Sequence, residues 1–177
     1  MRSKRDYLDV LRVICEHTRP RAILEWGPGE STVLLATMCR TATIVTLEHD
    51  PMFFAGMQKQ LSVYPNVRTR LLPFSPSHPK TDAEAMIGKG YSTWPLRQNV
   101  RWDLVFIDGR SRCDCLTSSK FILAEKGVVV LDDAHRTNYA EAKALYPFSI
   151  KLEARRVEVM SLAMFGVELR EELQSLM

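Results

Sequence analysis

Apolar residues along this chain switch between two periods, and the switching sets the order of its elements. From Arg5 to His17 they fall at Tyr7, Leu8, Val10, Leu11, Val13 and Ile14, close to the repeat of an amphipathic helix. Pro20 closes that helix by disfavouring helical backbone at the residue before it. Arg21–Trp26 is a short apolar strand, Ser31–Arg40 a helix, and Ala42–Glu48 a β-branched run of the kind buried in parallel sheets. Asp50 and Pro51 open the next helix, as cap and first helical residue, and Pro65-Asn66 stops it near Tyr64. Val67–Leu72 is a third strand. Between Pro73 and Asn99 the pattern dissolves into Pro, Gly and Ser, with one short helix expected near Asp82–Ile87; so long a loop in a compact domain is usually functional or mobile.

Trp102–Ile107 resumes as a fourth strand. Ser111 and Asp114 predict a capping box for a helix reaching Glu125, and Gly127 stands where a left-handed cap is expected. Val128–Leu131 is a fifth strand, followed by a short helix over Tyr139–Leu145. Phe148–Glu153 and Val157–Phe165 then read as an antiparallel hairpin turning at Ala154-Arg155-Arg156, and Glu168–Met177 as a frayed helix or tail. Strands alternate with helices until the hairpin, so the class is α/β, with helices on both faces of the sheet. We read 1–177 as one domain, with an N-terminal helix in 1–20 and a substrate-side loop in 73–99.

Composition narrows the partners. With 46% hydrophobic residues, a chain of 177 can bury one full core. A net charge of +3 is too small for a nucleic-acid binder, so none is expected as partner. Arg68, Arg70, Arg97, Arg101, Arg110 and Arg112 are read either as solvated loop ends or as a spatial cluster. Cys15, Cys39, Cys113 and Cys115 lack paired spacing, so neither a zinc site nor a disulfide framework is expected. Met1–Asp9 lacks an apolar signal core, and no apolar run reaches the roughly 20 residues that span a bilayer. A cytoplasmic location and no membrane contact are expected. The N-terminal helix could serve a homodimer.

The chemistry gathers at the strand ends. Ile23-Leu24-Glu25-Trp26-Gly27-Pro28-Gly29-Glu30-Ser31-Thr32 runs from strand through a glycine turn into a helix whose free N–H groups face back to the turn. Strands one, two, four and five end in Glu25, Glu48, Asp108 and Asp132. In open parallel sheets those ends line the ligand crevice. Capping explains Asp50 or Asp114, but not Glu25 or Glu48. Glu48 lies about 20 residues past the glycine turn, where a carboxylate meets a ribose diol. Two cofactors fit, a nicotinamide dinucleotide and S-adenosylmethionine. Thr32 replaces the third glycine of the dinucleotide fingerprint, and a pyrophosphate would meet Glu25 and Glu30. A sulfonium and an ammonium would be attracted by both acids, so electrostatics favour S-adenosylmethionine.

Over nearly its whole length the chain resembles a class I S-adenosylmethionine-dependent methyltransferase. Glu25-Trp26-Gly27-Pro28-Gly29 is similar to that family's first motif and Thr46-Leu47-Glu48-His49-Asp50 to its second. Gly29-Glu30-Ser31-Thr32, Phe106-Ile107-Asp108-Gly109 and Leu131-Asp132-Asp133 are similar to small O-methyltransferases of the catechol and caffeoyl-CoA type. The glucuronoxylan O-methyltransferases share a similar Asp-Gly-Arg segment. The resemblance implies a Rossmann-like, doubly wound, mostly parallel sheet of seven strands in the order 3-2-1-4-5-7-6, with the last strand antiparallel. It implies a cofactor site of Glu25, Trp26, Gly27, Pro28, Gly29, Ser31, Thr32, Glu48, His49, Phe74, Asp108 and Gly109. In it Glu25 is near the ammonium, Glu48 on the ribose, Phe74 against the adenine and Asp108 at the sulfonium end.

Methyl transfer to a hydroxyl needs alignment and either a base or a metal. Asp108, Asp132 and Asp133 offer oxygen ligands suited to Mg²⁺. Catechol-type relatives carry two acids and an amide there, and Asp133 stands in the amide's place. His135, just past the fifth strand, is the alternative base, with Asp108 and Asp133 as further catalytic candidates. Tyr91, Trp94 and Arg110 are candidate walls for a small-molecule acceptor. The expected function is therefore S-adenosylmethionine-dependent methyl transfer to a small-molecule hydroxyl. A NAD-dependent oxidoreductase and a non-catalytic S-adenosylmethionine-binding module are the alternatives.

Overall fold

The computed structural model describes residues 7–73 and 90–177. Helix α1 (Tyr7–Thr18) precedes β1 (Ala22–Trp26), α2 (Glu30–Met38), β2 (Thr43–Glu48), α3 (Pro51–Leu61) and β3 (Val67–Leu71). A 3₁₀ turn at Trp94–Arg97 leads to β4 (Trp102–Ile107), α4 (Arg112–Ile122), β5 (Leu123–Leu131) and the short α5 (Ala140–Lys143). β6 (Phe148–Leu152), β7 (Val157–Ser161) and α6 (Val167–Ser175) complete the chain. The strands form one sheet in the order β3-β2-β1-β4-β5-β7-β6. Strands β1 to β5 pair in parallel, and β7 runs antiparallel to both of its neighbours. This is the expected doubly wound topology. No helix among the described residues is long and apolar enough to cross a membrane.

Period-two alternation divides the strand residues between two cores. Ile23, Ile44, Leu104, Phe106, Val128 and Val130 face one side, covered by α1, α2 and α6. Leu24, Trp26, Leu47, Val105, Ile107 and Leu131 face the other, where α4, α5 and Tyr91 pack. Asp50 caps α3 as expected, accepting from Met52 N at 2.8 Å and Phe53 N at 3.0 Å.

Three boundaries differ from the sequence expectation. Ser111 makes no capping bond and its backbone is left-handed (φ 48°), so the capping box does not form. Helix α4 ends at Ile122 and passes directly into β5, which begins at Leu123 opposite Trp102. The register then jumps to Leu104↔Val128, and Gly127 lies inside this irregular strand rather than capping a helix. A Cβ on Gly127 would stand 2.6 Å from the Trp102 carbonyl oxygen, so glycine is needed there for close approach. Strand β7 stops at Ser161, short of Phe165. The C-terminal segment is a docked helix, not a frayed one. Leu169 and Leu173, four residues apart, are buried together against α1 and β6. The helix expected at Asp82–Ile87 lies outside the described residues.

Candidate functional site

The strand registers place the acids in one row. Trp26 pairs with Leu47 on one side and Ile107 on the other, and Ile107 pairs with Leu131. One residue further on, Glu48, Gly27, Asp108 and Asp132 lie side by side. The ladder continues through Gly27 N donating to Leu47 O (3.0 Å), Asp108 N to Trp26 O (3.0 Å) and Asp132 N to Ile107 O (3.1 Å). At about 4.8 Å per strand, Glu48 and Asp108 stand roughly 10 Å apart across Gly27. Here the chain leaves β1 towards β2 on one side and returns beside it as β4 on the other. That divergence opens the crevice of a doubly wound sheet.

Gly27 has φ +90°, and a Cβ on it would come within 2.8 Å of Gly109 N. Gly109 is equally confined, because its own Cβ would strike the Tyr91 hydroxyl. These two glycines let the β1 and β4 loops touch. Gly29 differs: a Cβ there would meet nothing within 4 Å, so its backbone borders open space.

Glu25 is fully buried beneath the start of α2. Its carboxylate accepts from Ser31 Oγ and from Thr32 Oγ1 (2.6 Å), while Thr32 Oγ1 accepts from Gly29 N (2.9 Å). Burial pushes Glu25 up to about 7, against the hydroxyls of Ser31, Thr32 and Thr46, which pull it down. Glu25, Ser31 and Thr32 thus brace the glycine turn from below. Glu48 behaves differently. Its Oε1 accepts from His49 N (2.6 Å) and Asp50 N (2.8 Å), and its side chain lines a cavity of about 340 Å³. Gly27, Pro28, His49, Phe53, Asp108, Gly109, Arg110 and Arg112 complete that lining.

Comparison with solved structures gives the fold its family likeness. A methyltransferase-like protein from Silicibacter pomeroyi superposes with a TM-score of 0.72 at 19% identity, covering 99% of this chain and 95% of its own. A caffeoyl-CoA O-methyltransferase-like protein from Staphylococcus aureus gives 0.63 at 14% identity, over 90% of this chain and 84% of its own. The fold is that of the class I S-adenosylmethionine-dependent methyltransferases. The N-methyltransferase NodS from Bradyrhizobium japonicum shares it (TM-score 0.56, 10% identity, 89% and 93% covered), so the fold alone does not choose the acceptor atom. No protein-family model and no curated protein sequence matches this chain.

Within this methyltransferase fold the acids past β4 and β5 divide, Asp108 and Asp132 sharing one partner and Asp133 taking others. Arg112, the first residue of α4, bonds Asp108 Oδ1 at 2.7 Å and Asp132 Oδ2 at 3.3 Å. Burial first, then the Asp132 carboxylate, push Asp108 up to about 7, while Arg112 opposes them. Asp133, left-handed at φ 54°, turns away to Arg136 and Arg156. Burial pushes its carboxyl up, but the bond from Arg136 and the charges of three arginines leave it below the ordinary value. Asp133 therefore does not converge with Asp108 and Asp132. Among the described residues no group of three metal-ligating side chains forms, and with Arg112 bonded to both Asp108 and Asp132 their oxygens are not open to Mg²⁺.

His135 is exposed and its ring nitrogens meet the Arg156 guanidinium at 3.1 and 2.7 Å; it is not part of the cavity lining. Trp26 is buried, with Nε1 donating to Tyr91 O (3.2 Å), so only its backbone reaches the turn. Tyr91 lies under the floor, buried, with its hydroxyl 3.4 Å from Leu47 O and its ring edge-on to His49. Trp94 is half-buried beneath Arg70, whose guanidinium stands 5.2 Å from its ring. Arg110 is exposed at the cavity wall. Phe74 lies outside the described residues.

Two residues enter the picture only with the structure. Phe53, on the first turn of α3, supplies an aromatic wall next to Glu48 and His49. Tyr7 packs on Phe106 (ring centroids 5.2 Å apart) with its phenol among acids. Burial, then Asp108, Asp132, Glu25 and Glu30, push it up to about 12.

Proposed function

We propose that this protein is an S-adenosylmethionine-dependent methyltransferase acting on a hydroxyl of a small molecule. The observation that carries the reading is the row Glu48–Gly27–Asp108, with open space beside Gly29. This gives a cradle edged by carboxylates at the switch point of the sheet. S-adenosylmethionine supplies an electrophilic methyl on a sulfonium. Gly27 and Gly29 would border its methionine part, Glu48 would accept hydrogen bonds from its ribose, and Phe53 would flank its base. Asp108 would face the positive end, where a carboxylate is electrostatically matched.

For the acceptor, this chain must align an oxygen and receive a proton. Asp108, half-ionised near pH 7, lines the cavity and can hold that proton. His135 would act only at the rim, and Asp133 is engaged by two arginines. Arg110, exposed at the wall, would meet an acceptor that carries negative charge. A nicotinamide dinucleotide fits less well, because its pyrophosphate would approach a turn braced by Glu25 and followed by Glu30.

Calorimetric titration with S-adenosylhomocysteine and with NAD tests the reading. S-adenosylhomocysteine should bind, and Glu48→Ala should weaken it by about tenfold or more, the order of a lost charge-assisted hydrogen bond. Binding of NAD alone would reject the proposal. S-adenosylhomocysteine binding with no methyl transfer to any of a panel of hydroxyl acceptors would favour a binding module.

A further inference from the structure

Arg112 has more partners than its two carboxylates. Nη2 donates to Asp108 Oδ1 (2.7 Å) and Asp108 O (3.0 Å), and Nε donates to Gly109 O (3.0 Å). Nη1 donates to Asp132 O and to Asp132 Oδ2 (3.3 Å). A guanidinium has five N–H groups, and here five oxygens receive them. The side chain is only 11% exposed, so the arrangement is internal rather than a surface ion pair. Ser111 and Asp133, the residues next to Arg112 and Asp132, both have left-handed backbone, at φ 48° and 54°.

Five oxygens from the ends of two adjacent strands, two of them carboxylate, are also what a hard divalent cation seeks. In this chain the guanidinium fills that cage. A metal entering it would have to displace a resident charge and leave five donors without partners.

We propose that Arg112 is the built-in cation of this site: it occupies the oxygen cage at the ends of β4 and β5, orients Asp108, and makes the site independent of divalent metal. The proposal rests on the methyltransferase reading only for the word site; the occupancy of the cage can be tested without the cofactor. Arg112 acts through Asp108 and is a positioning residue.

The test is Mn²⁺ binding followed by electron paramagnetic resonance on the full chain, wild type and Arg112→Met. Wild type should show no stoichiometric Mn²⁺ site. The neutral Arg112→Met variant removes the guanidinium bonds from Asp108, Asp132 and three carbonyl oxygens, and should bind Mn²⁺ at least on the order of tenfold more tightly than wild type. Arg112→Lys, checked for folding by circular dichroism, keeps the charge and should exclude Mn²⁺ as wild type does. That variant and wild type carry the test if Arg112→Met does not fold. A stoichiometric Mn²⁺ site in wild type or in a folded Arg112→Lys would overturn the proposal, as would a folded Arg112→Met that binds Mn²⁺ no more tightly than wild type. In parallel, S-adenosylhomocysteine affinity of wild type should agree within about twofold in chelator and in excess Mg²⁺, because the cage is already filled. A rise of tenfold with Mg²⁺ would also overturn it. If S-adenosylhomocysteine fails to bind under either condition, the functional reading falls while the Mn²⁺ comparison still decides the role of Arg112.

Discussion

Glu25→Gln separates the electrostatics of the glycine turn from its packing. The side chain is fully buried, and burial lifts its pKa from 4.5 to about 7 despite bonds from Ser31 and Thr32. Below pH 4.5 the carboxyl is protonated in both folded and unfolded chains, and its contribution to stability is complete. Between 4.5 and 7 the unfolded chain releases the proton while the folded chain keeps it. Stability is therefore lost as pH rises through that window and is level above it. At about 1.4 kcal/mol per pH unit, the whole loss amounts to about 3 kcal/mol. Glutamine has nearly the same shape, carries no charge at any pH, and retains an oxygen for one of the hydroxyls. Its partners also have spare capacity, since a hydroxyl can donate and accept.

The assay is urea unfolding of wild type and Glu25→Gln at several pH values from 4.5 to 8. Asp108 is also lifted to about 7 and adds a slope of the same sign; Glu25 is the smallest of the causes of that lift, so most of the slope is common to both proteins and drops out of the difference. The variant should gain on wild type by about 3 kcal/mol across the window, whatever its offset at pH 4.5. Parallel stability curves would refute the reasoning, because they would mean that Glu25 titrates alike in the folded and unfolded chains.

The two glycines of the turn should respond in opposite ways. Gly27→Ala forces a side chain onto φ +90° and against Gly109 N, so thermal unfolding should show a loss well above 1 kcal/mol. Gly29→Ala should stay within about 0.5 kcal/mol of wild type, yet lower S-adenosylhomocysteine affinity in calorimetry, since its Cβ enters open space beside the cradle. Unchanged affinity in a folded Gly29→Ala would remove that cradle from the cofactor path. Leu173→Ala should cost about 2–5 kcal/mol in urea unfolding, the penalty of a fully buried leucine; a change under about 0.5 kcal/mol would mean that α6 is not docked.

The sheet was legible because β2, β4 and the Val128–Leu131 part of β5 are largely apolar runs that end at or just before an acid, while β1 carries its acid one residue before its end. The boundaries that moved lie where tertiary contacts override local signals. Gly127 follows a helical pattern and a lysine, as a cap does, but its place is set by the approach to Trp102. Ser111 precedes Asp114 at capping-box spacing, yet its backbone is left-handed and leads directly into Arg112, whose side chain bonds Asp108 and Asp132. Leu169 and Leu173 carry the helical repeat that docks α6, but the short charged segment around them resembles a tail until α1 is seen beside it.

The site was legible as a set of acids and illegible as a set of pairings. Identical parity at each strand end puts Glu48, Asp108 and Asp132 in one row, and that much follows from period two and parallel register. Which acid faces a ligand depends on what else reaches it. Glu25 is taken by hydroxyls of α2, Asp133 by Arg136 and Arg156, and Asp108 with Asp132 by Arg112. The Asp108–Arg112 spacing of four would signal an ion pair inside a helix, but these residues span a strand end, a tight turn and a helix start, where the helical rule gives no warning. Tyr7 was hidden in the same manner, counted as one more apolar position of α1 although its phenol lies among the acids. Glu48 emerges as an acid whose carboxylate, among the described residues, is oriented by backbone N–H groups and by its neighbour His49, with the cavity beside it. On the methyltransferase reading, an acid so placed, roughly 10 Å across Gly27 from a carboxylate already matched by a guanidinium, is the one whose removal a ribose should feel, alongside the loss of an acceptor for the His49 and Asp50 backbone N–H groups.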